Sequence, residues 1–524
     1  MRVPLNQGAY TARSIIASAQ RAMNIYPEPN PDDAECKYTH YGAPGLTLLN
    51  GTLNVPARCL YLANNGTLYY CAGNALFSVS APPAWTITLI GTILTTSGIV
   101  SMADNGTTLL LVDGSSSGYQ LDLATNAFSF VNSSVNAPPV ESGDVFGFFG
   151  ADRVDIIDGF MVLNQPNSQN FYCTQLNNVI FDALNFSAKN GYSDLLVTII
   201  VTRREIWLIG QRTTEIWFDA GGALFPFQIL PGPFIQHGCI AKFSVAQVNG
   251  VVYWLSQDQA GTNILVRGEG YDAKRISTHA LEQEWSKYPT IADAEAFCFQ
   301  IGGHSFYQIN FPTANKSWRW DEATQLWHEP VFTDSDGHEN RHRAACAAFA
   351  YGVNVMADWE TGALYACDPT VHTDNGMPMY FRRGFPHMMQ DGRQAIYPGF
   401  TLDVEAATSP DTIDQPGPFE LLSVGSAYGS EDVMTSGAGF GLLSGPAPVN
   451  TSPQVFLRWS DDRGRTFSNP IPQSLGATGQ TLTQPRWRRL GRARDRVFEV
   501  FGVIPGRLAV NGAFLDPEPI KMES

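Results

Sequence analysis

Charge is scarce in this chain of 524 residues: 16% are charged, against about 25% in an average soluble domain. Disorder maintained by charge is thereby excluded as the general state, and a 44% hydrophobic content can fill a sizeable core. Basic residues are scarcer still, 33 against 49 acidic, for a net charge of −16. A surface that grips nucleic-acid phosphates or an anionic membrane over its whole extent is excluded, while a local basic patch is not. The eight cysteines (Cys36, Cys59, Cys71, Cys173, Cys239, Cys298, Cys346 and Cys367) contain no CxxC pair and no regular spacing. That argues against a disulfide framework and against a zinc ribbon, and they read as reduced, mostly buried thiols. Long apolar runs are missing: the strongest, Leu195 to Val201, is too short to span a bilayer, and MRVPLNQGAYTARS lacks the apolar segment of a secretory signal. The expectation is a soluble protein made in a reducing cytosol, with about three ordinary domains or one large repeat-built domain with additions.

Helix signals are equally sparse. Thr11 to Ile25 carries Ile15, Ile16, Ala19 and Met23 at helical spacing before Pro27, and His279 to Tyr288 stops at Pro289. Both are expected to be short helices added to a β body.

What the chain does contain is repetition. Units that begin near Arg58, Gly98, Val154, Leu195, Phe243, Glu295 and His342 follow one another at intervals of 40 to 56 residues, near the roughly 40 to 50 of a four-stranded propeller blade. Within them apolar strands alternate with turns such as Asn65-Gly66, Asn105-Gly106 and Asn249-Gly250, which is hairpin chemistry. The expected fold is all-β: a β-propeller of about six or seven blades, with an N-terminal arm holding a short helix and a C-terminal β-sandwich. A set of unrelated β-sandwich pieces is the alternative. The expected boundaries are 1–50 for the arm, 51–378 for the propeller and 379–524 for the sandwich, whose strands are QVFLRWSDD, PRWRRLGRARDRVFEVFGV, RLAVNGAFL and Phe400 to Ala406. Residues 407–451, rich in Ser, Gly and Pro, read as a loop or tip.

Four features bear on chemistry. His338-Glu339-Asn340-Arg341-His342 matches HExxH, yet its flanks, DSDG and RHR, are polar, where a zinc helix needs apolar neighbours. A solvated turn is expected, with no metal and no cofactor. Ser460 to Phe467 resembles the Asp box, SxDxGxTW, a structural hairpin turn formed here by Ser460, Asp462, Gly464, Thr466 and Phe467, in which the aspartate accepts backbone N–H groups. It supplies neither of the two facing carboxylates that a glycosidase needs, so no catalytic residue is expected. Arg486, Arg488, Arg489, Arg492, Arg494 and Arg496 crowd into 11 positions. If the run is a strand pair, alternate arginines can meet carboxylates of a neighbouring subunit bidentately; solvated side chains and DNA phosphate contact are the other readings. Trp207, Trp217, Trp318, Trp320 and Trp327 lie inside strand patterns and are expected in cores, with a carbohydrate platform as the rival.

The N-terminal run PLNQGAYTARSIIASAQRAMNIYPEPNP followed by YGAPGLTLL, and the C-terminal SDDRGRTFSNP and PRWRRLGRARDRVFEV, resemble the ends of the tail nozzle or hub proteins of short-tailed phages, also called packaged-DNA stabilisation proteins. The resemblance implies a structural virion component, not an enzyme, synthesised in the bacterial cytoplasm. Several copies, a hexamer in that family, would form a ring below the portal and its adaptor. Its partners would be the adaptor, a needle or plug, tailspikes or fibres, and double-stranded DNA passing without tight binding, with no membrane insertion. The acidic, glycine-rich insert Gly425 to Pro448 departs from the family pattern. Ile15, Ile16 and Met23 on the arm, with Arg486, Arg488 and Arg492, are the expected interface residues. The alternative function is a carbohydrate-binding or glycosidase-type propeller.

Overall fold

The structure is a computed structural model that describes residues 2–3, 8–11, 18–31, 36–139, 145–222, 225–258, 260–389, 393–408, 453–476, 482–504, 506–515 and 518–519. The chain forms two compact units, one of Leu48–Lys316 with His342–Cys367, the other of Met1–Thr47, Ser317–Arg341 and Asp368–Ser524.

The first unit is the propeller. Five complete antiparallel sheets follow one another in chain order, each a four-stranded meander. Blade 1 is Ala57–Leu62, Leu68–Ala72, Ala75–Val79 and Ile87–Thr92; blade 2 is Ser101–Asp104, Thr108–Val112, Gly118–Asp122 and Phe128–Phe130. Blade 3 is Val154–Ile157, Phe160–Asn164, Asn170–Thr174 and Phe181–Ala188; blade 4 is Leu196–Thr202, Glu205–Gly210, Thr214–Asp219 and Phe227–Ile235. Blade 5 is Ala246–Val248, Val251–Gln257, Asn263–Glu269 and Asp272–Arg275. To the same unit blade 6 gives Glu295–Ile301 and His304–Phe311, and blade 7 gives Ala344–Ala350, Val353–Asp358 and Leu364–Asp368. The hairpins close as their turn residues dictate: Asn249 and Gly250 both take positive φ, 52° and 73°, so that Val248 pairs with Val251.

Neighbouring blades share their cores. The first strand of each sheet lies against the first strand of the next, with the 3-10 turn Lys242–Ser244 between blades 4 and 5. Tyr69, Leu109 and Tyr119 fill the gap between blades 1 and 2, Leu163 and Tyr172 with Leu110 that between 2 and 3, and Phe171, Leu208 and Trp217 that between 3 and 4. Trp207, Ile209 and Trp254 fill the next. The first strand of blade 7 lies against that of blade 1, and Tyr70, Val355 and Leu364 are buried at that junction, which closes the ring. Successive residues on a strand thus serve different cores, Tyr69 and Cys71 one and Tyr70 and Ala72 the other, which is why these strands read as unbroken apolar runs. The helix expected after Ser277 forms as His279–Trp285, capped by the Thr278 hydroxyl. All eight cysteines are unpaired, and burial pushes the Cys71 and Cys173 thiols up to about 12.

The second unit is a sandwich of two sheets. One runs Leu482–Thr483, Gly399–Thr408, Gly506–Leu515, Tyr38–Gly42, Ile25–Pro29, with Arg2–Val3 and Arg486–Arg488 on its flanks. The other runs Ala22–Met23, Tyr380–Gly384, Asp495–Val503, Gln454–Ser460, Ile471–Ser474. The N-terminal helix is a correction: Ala19–Gln20, Ala22–Met23 and Ile25–Pro29 are strands, and the chain's start completes both sheets. Asn24 explains the choice. It sits at φ 51°, and its side chain donates to the carbonyls of Val331 and Tyr380 and accepts from the N–H of Val331, satisfying backbone that a helix would leave unpaired. Met23 is accordingly buried inside its own unit, at 2% exposure. Ile15, Ile16 and the insert Gly425 to Pro448 lie outside the described residues.

Ring closure at the junction of blades 7 and 1 yields a prediction. Leu364→Ala removes a fully buried side chain there and is expected to cost the propeller about 2–5 kcal/mol, read as a lowered denaturant midpoint at unchanged slope.

Candidate functional site

The arginine run is divided by the strands that carry it. Arg486–Arg488 pairs with Gly399, Phe400 and Thr401, so the middle residue, Trp487, turns inward. Trp487 is 1% exposed, packs on Phe400 and donates its indole N–H to the carbonyl of Ile471 at 2.8 Å. Arg486 and Arg488 therefore point outward. Arg489 and Gly491 turn the chain with φ of 60° and 78°, and Arg492–Ala493 pairs with Ala395–Ile396, again arginine out and alanine in. Arg494 is exposed as well. Among the described residues, Arg488, Arg489, Arg492 and Arg494 form no ion pair. They make a band of free guanidinium groups on an edge whose backbone is pinned by Trp487 and Ala493.

Arg496 behaves differently. It is 2% exposed; its Nε and Nη2 grip the Asp461 carboxylate at 2.5 and 2.7 Å, and its Nη1 donates to the carbonyl of Leu490. The guanidinium lies over the rings of Tyr397, Trp459 and Phe498 at 5.0 to 5.8 Å. Arg496 is one of the six arginines of the run and not among the three, Arg486, Arg488 and Arg492, expected at an interface. What distinguishes it is the carboxylate of Asp461, at the end of the neighbouring strand Gln454–Ser460, which only the pairing of Ser460 with Val497 brings near.

Asp461 belongs to the Asp-box segment, the hairpin between Gln454–Ser460 and Ile471–Ser474. The Asp462 carboxylate accepts from the N–H groups of Arg465 and Thr466 and from the hydroxyls of Ser460 and Thr466. Gly464, at φ 90°, donates its N–H to the Ser460 hydroxyl, and Phe467 lies half-buried under the Arg458 guanidinium at 4.5 Å. Hydrogen bonding from Ser460 and Thr466 holds the Asp462 carboxyl well below the usual carboxylate range. The turn sits in the sandwich, not in a propeller blade.

The HExxH segment is extended: Glu339–Arg341 is a strand that pairs with Val331–Thr333, so its residues do not share a helix face. His338 instead lies near Asp334 and Asp336, with possible ligand atoms within 4.8 Å of one another. Asp334 is already engaged, accepting from the N–H groups of Asp336 and His338 and from the Asn340 amide. Along the propeller axis a cavity of about 430 Å3 is lined by Arg58, Arg153, Asp155 and Glu295. Arg58 spends its guanidinium on the carbonyls of Gly73, Thr95, Ser97 and Gly98 and on the Thr95 hydroxyl. It is a strut of the ring. The tryptophans inside strands are buried, Trp207 at 4% and Trp327 at 2%, and offer no platform.

Comparison with known proteins gives two family matches. Residues 1–372 match a family described as bacteriophage P22 Gp10, beta-propeller, and residues 430–518 one described as bacteriophage P22 Gp10, beta-sandwich. No curated protein matches the sequence. Among solved structures, the N-terminal domain of Nup159 is similar with 10% identity and a TM-score of 0.39, covering 67% of this chain and 99% of that one. The WD40 beta propeller domain of Doa1 is similar with 9% identity and a TM-score of 0.38, covering 62% and 96%. The extracellular domain of BT4673 from B. thetaiotaomicron is similar with 10% identity and a TM-score of 0.40, covering 62% and 40%.

The Asp462 turn generates a pH prediction. Its carboxyl is depressed on folding, so the stability it contributes is full above the unfolded value of about 3.9 and is lost as pH falls below that value. Asp462→Asn is expected to lower sandwich stability near neutral pH and to flatten its acid dependence, measured by urea unfolding at about pH 7 and about pH 3.

Proposed function

The chain belongs to the bacteriophage P22 Gp10 family of tail nozzle and packaged-DNA stabilisation proteins, structural components of the phage tail, and from that premise we propose that its copies close into a ring, six in number, that conducts and retains the genome. The ring would lie below the portal and its adaptor, offer its lower end to a needle or plug, and carry tailspikes or fibres. The protein would act without catalysis, metal or cofactor.

The observation that carries the ring is the band formed by Arg488, Arg489, Arg492 and Arg494. In a chain with net charge −16 these cations have no partners of their own among the described residues, and every neighbouring copy is rich in carboxylates. Arg488 and Arg492 are held outward by short strands whose adjacent residues, Trp487 and Ala493, are buried, which suits bidentate pairing across a subunit boundary. The same charge balance favours passage of DNA without tight binding: each phosphate neutralised adds counterion-release free energy that resists sliding. Retention would then rest on a plug or a constriction.

The test is a charge reversal on the band. Arg488→Glu with Arg492→Glu should leave the circular dichroism spectrum unchanged and weaken ring assembly by about tenfold or more, since like charges set against each other cost several kcal/mol. Sedimentation velocity reads the assembled mass. Undiminished assembly of the folded double variant would show that the band is only solvated.

A further inference from the structure

Blades 4 and 5 frame a groove of about 770 Å3, lined by Tyr192, Gln211, Arg212, Phe234, Gln236, His237 and Gln257 among others. That volume falls within the roughly 300–1,000 Å3 of small-ligand sites. Two rings stand open to solvent, Tyr192 at 44% and Phe234 at 39% exposure. Three neutral amides, Gln211, Gln236 and Gln257, are exposed beside them, and Nδ1 of His237 is buried without a hydrogen-bond partner.

The wall that carries the aromatics is built rigidly. The loop bearing Tyr192 is anchored by the buried ion pair of Lys189 with Asp194, whose side chains are 0% and 3% exposed. Lys189 also donates to the Thr213 hydroxyl at 2.6 Å, and Asp194 accepts from the N–H groups of Arg212 and Thr213. Beneath the loop the Glu215 carboxylate, fully buried, accepts from the N–H of Gly191 and from the indole of Trp217. The loop packs closely on both groups: a Cβ at Gly191 would stand 3.2 Å from the Phe234 ring and 2.8 Å from a Glu215 carboxylate oxygen. A buried charge pair is a weak source of stability by itself, but it fixes the loop, and with it the aromatic face.

We propose that this groove binds a short oligosaccharide. Aromatic faces accept the C–H face of a pyranose, and amides both donate to and accept from ring hydroxyls. Arg212 is the groove's one arginine in an acidic protein, too little positive charge for a nucleic-acid track. An extended peptide added as a strand is disfavoured because the outer strand of blade 4, Phe227–Ile235, contains Pro231 and Pro233, which have no N–H to donate. The site is independent of the arginine band, so it stands or falls apart from ring assembly.

The full chain is screened on an array of immobilised oligosaccharides, and the best binder is titrated calorimetrically. Tyr192→Ala and Gln236→Ala should each reduce affinity by about tenfold, Tyr192→Phe should retain most of it because the stacking face survives, and thermal unfolding of all three should match the parent. Absence of binding by the parent chain would overturn the proposal. So would binding that both alanine variants retain, or occupation of the groove by a protein partner with no sugar bound.

Discussion

The contact between the last blade and the first is what turns a row of sheets into a propeller. Tyr70 of blade 1 donates its hydroxyl to the carbonyl of Gly362 at 2.9 Å, and Tyr351 of blade 7 donates to the carbonyl of Val79 at 2.9 Å. The Tyr70 bond joins residues 292 positions apart, so its loop-closure entropy is large and is offset by the apolar surface of Leu68, Val355 and Leu364 buried around it. Without closure two sheets would present open faces and free edges, and the axial cavity would lose its wall. Arg58, with its cation solvated by carbonyls and one hydroxyl, ties blade 1 to the segment that leads into blade 2.

The propeller was legible because its code is local. Apolar runs of strand length, Asn-Gly turns and a spacing of 40 to 56 residues are properties of single units, and they survive in any register. The sandwich strands were legible for the same reason: Gln454–Ser460, Asp495–Val503 and Gly506–Leu515 coincide with the apolar runs. The N-terminal segment was not, since Ala19 and Met23 at helical spacing are equally served by an extended chain once Tyr380–Gly384 and Tyr38–Gly42 offer it hydrogen bonds. Tertiary pairing overrode a weak periodic signal. The arginine band was found as a concentration of charge. That Arg496 lies apart from it depends on Asp461 and on the rings of Tyr397 and Trp459, brought to it from other segments, information absent from the run itself. The groove between blades 4 and 5 left no motif at all, because its residues come from four separate segments and only the fold juxtaposes them.

Electrostatics and architecture combine in the functional reading. Two arginines that the fold uses are paired with carboxylates, Arg496 with Asp461 and Arg21 with Glu329 and Glu339. Those of the band are left exposed on an edge that inward-facing Trp487 and Ala493 keep in place. Among the described residues the strip gathers four cations without an ion pair into a short stretch of an otherwise acidic chain, and the proposed contact between copies rests on that concentration.

Electron cryomicroscopy of virions that carry this chain tests the central claim most directly. The account predicts propeller and sandwich density repeated six times around the tail axis below the portal, with the arginine strip at the contact between adjacent copies. A single copy, a position off the axis, or a subunit contact formed without the strip would contradict it.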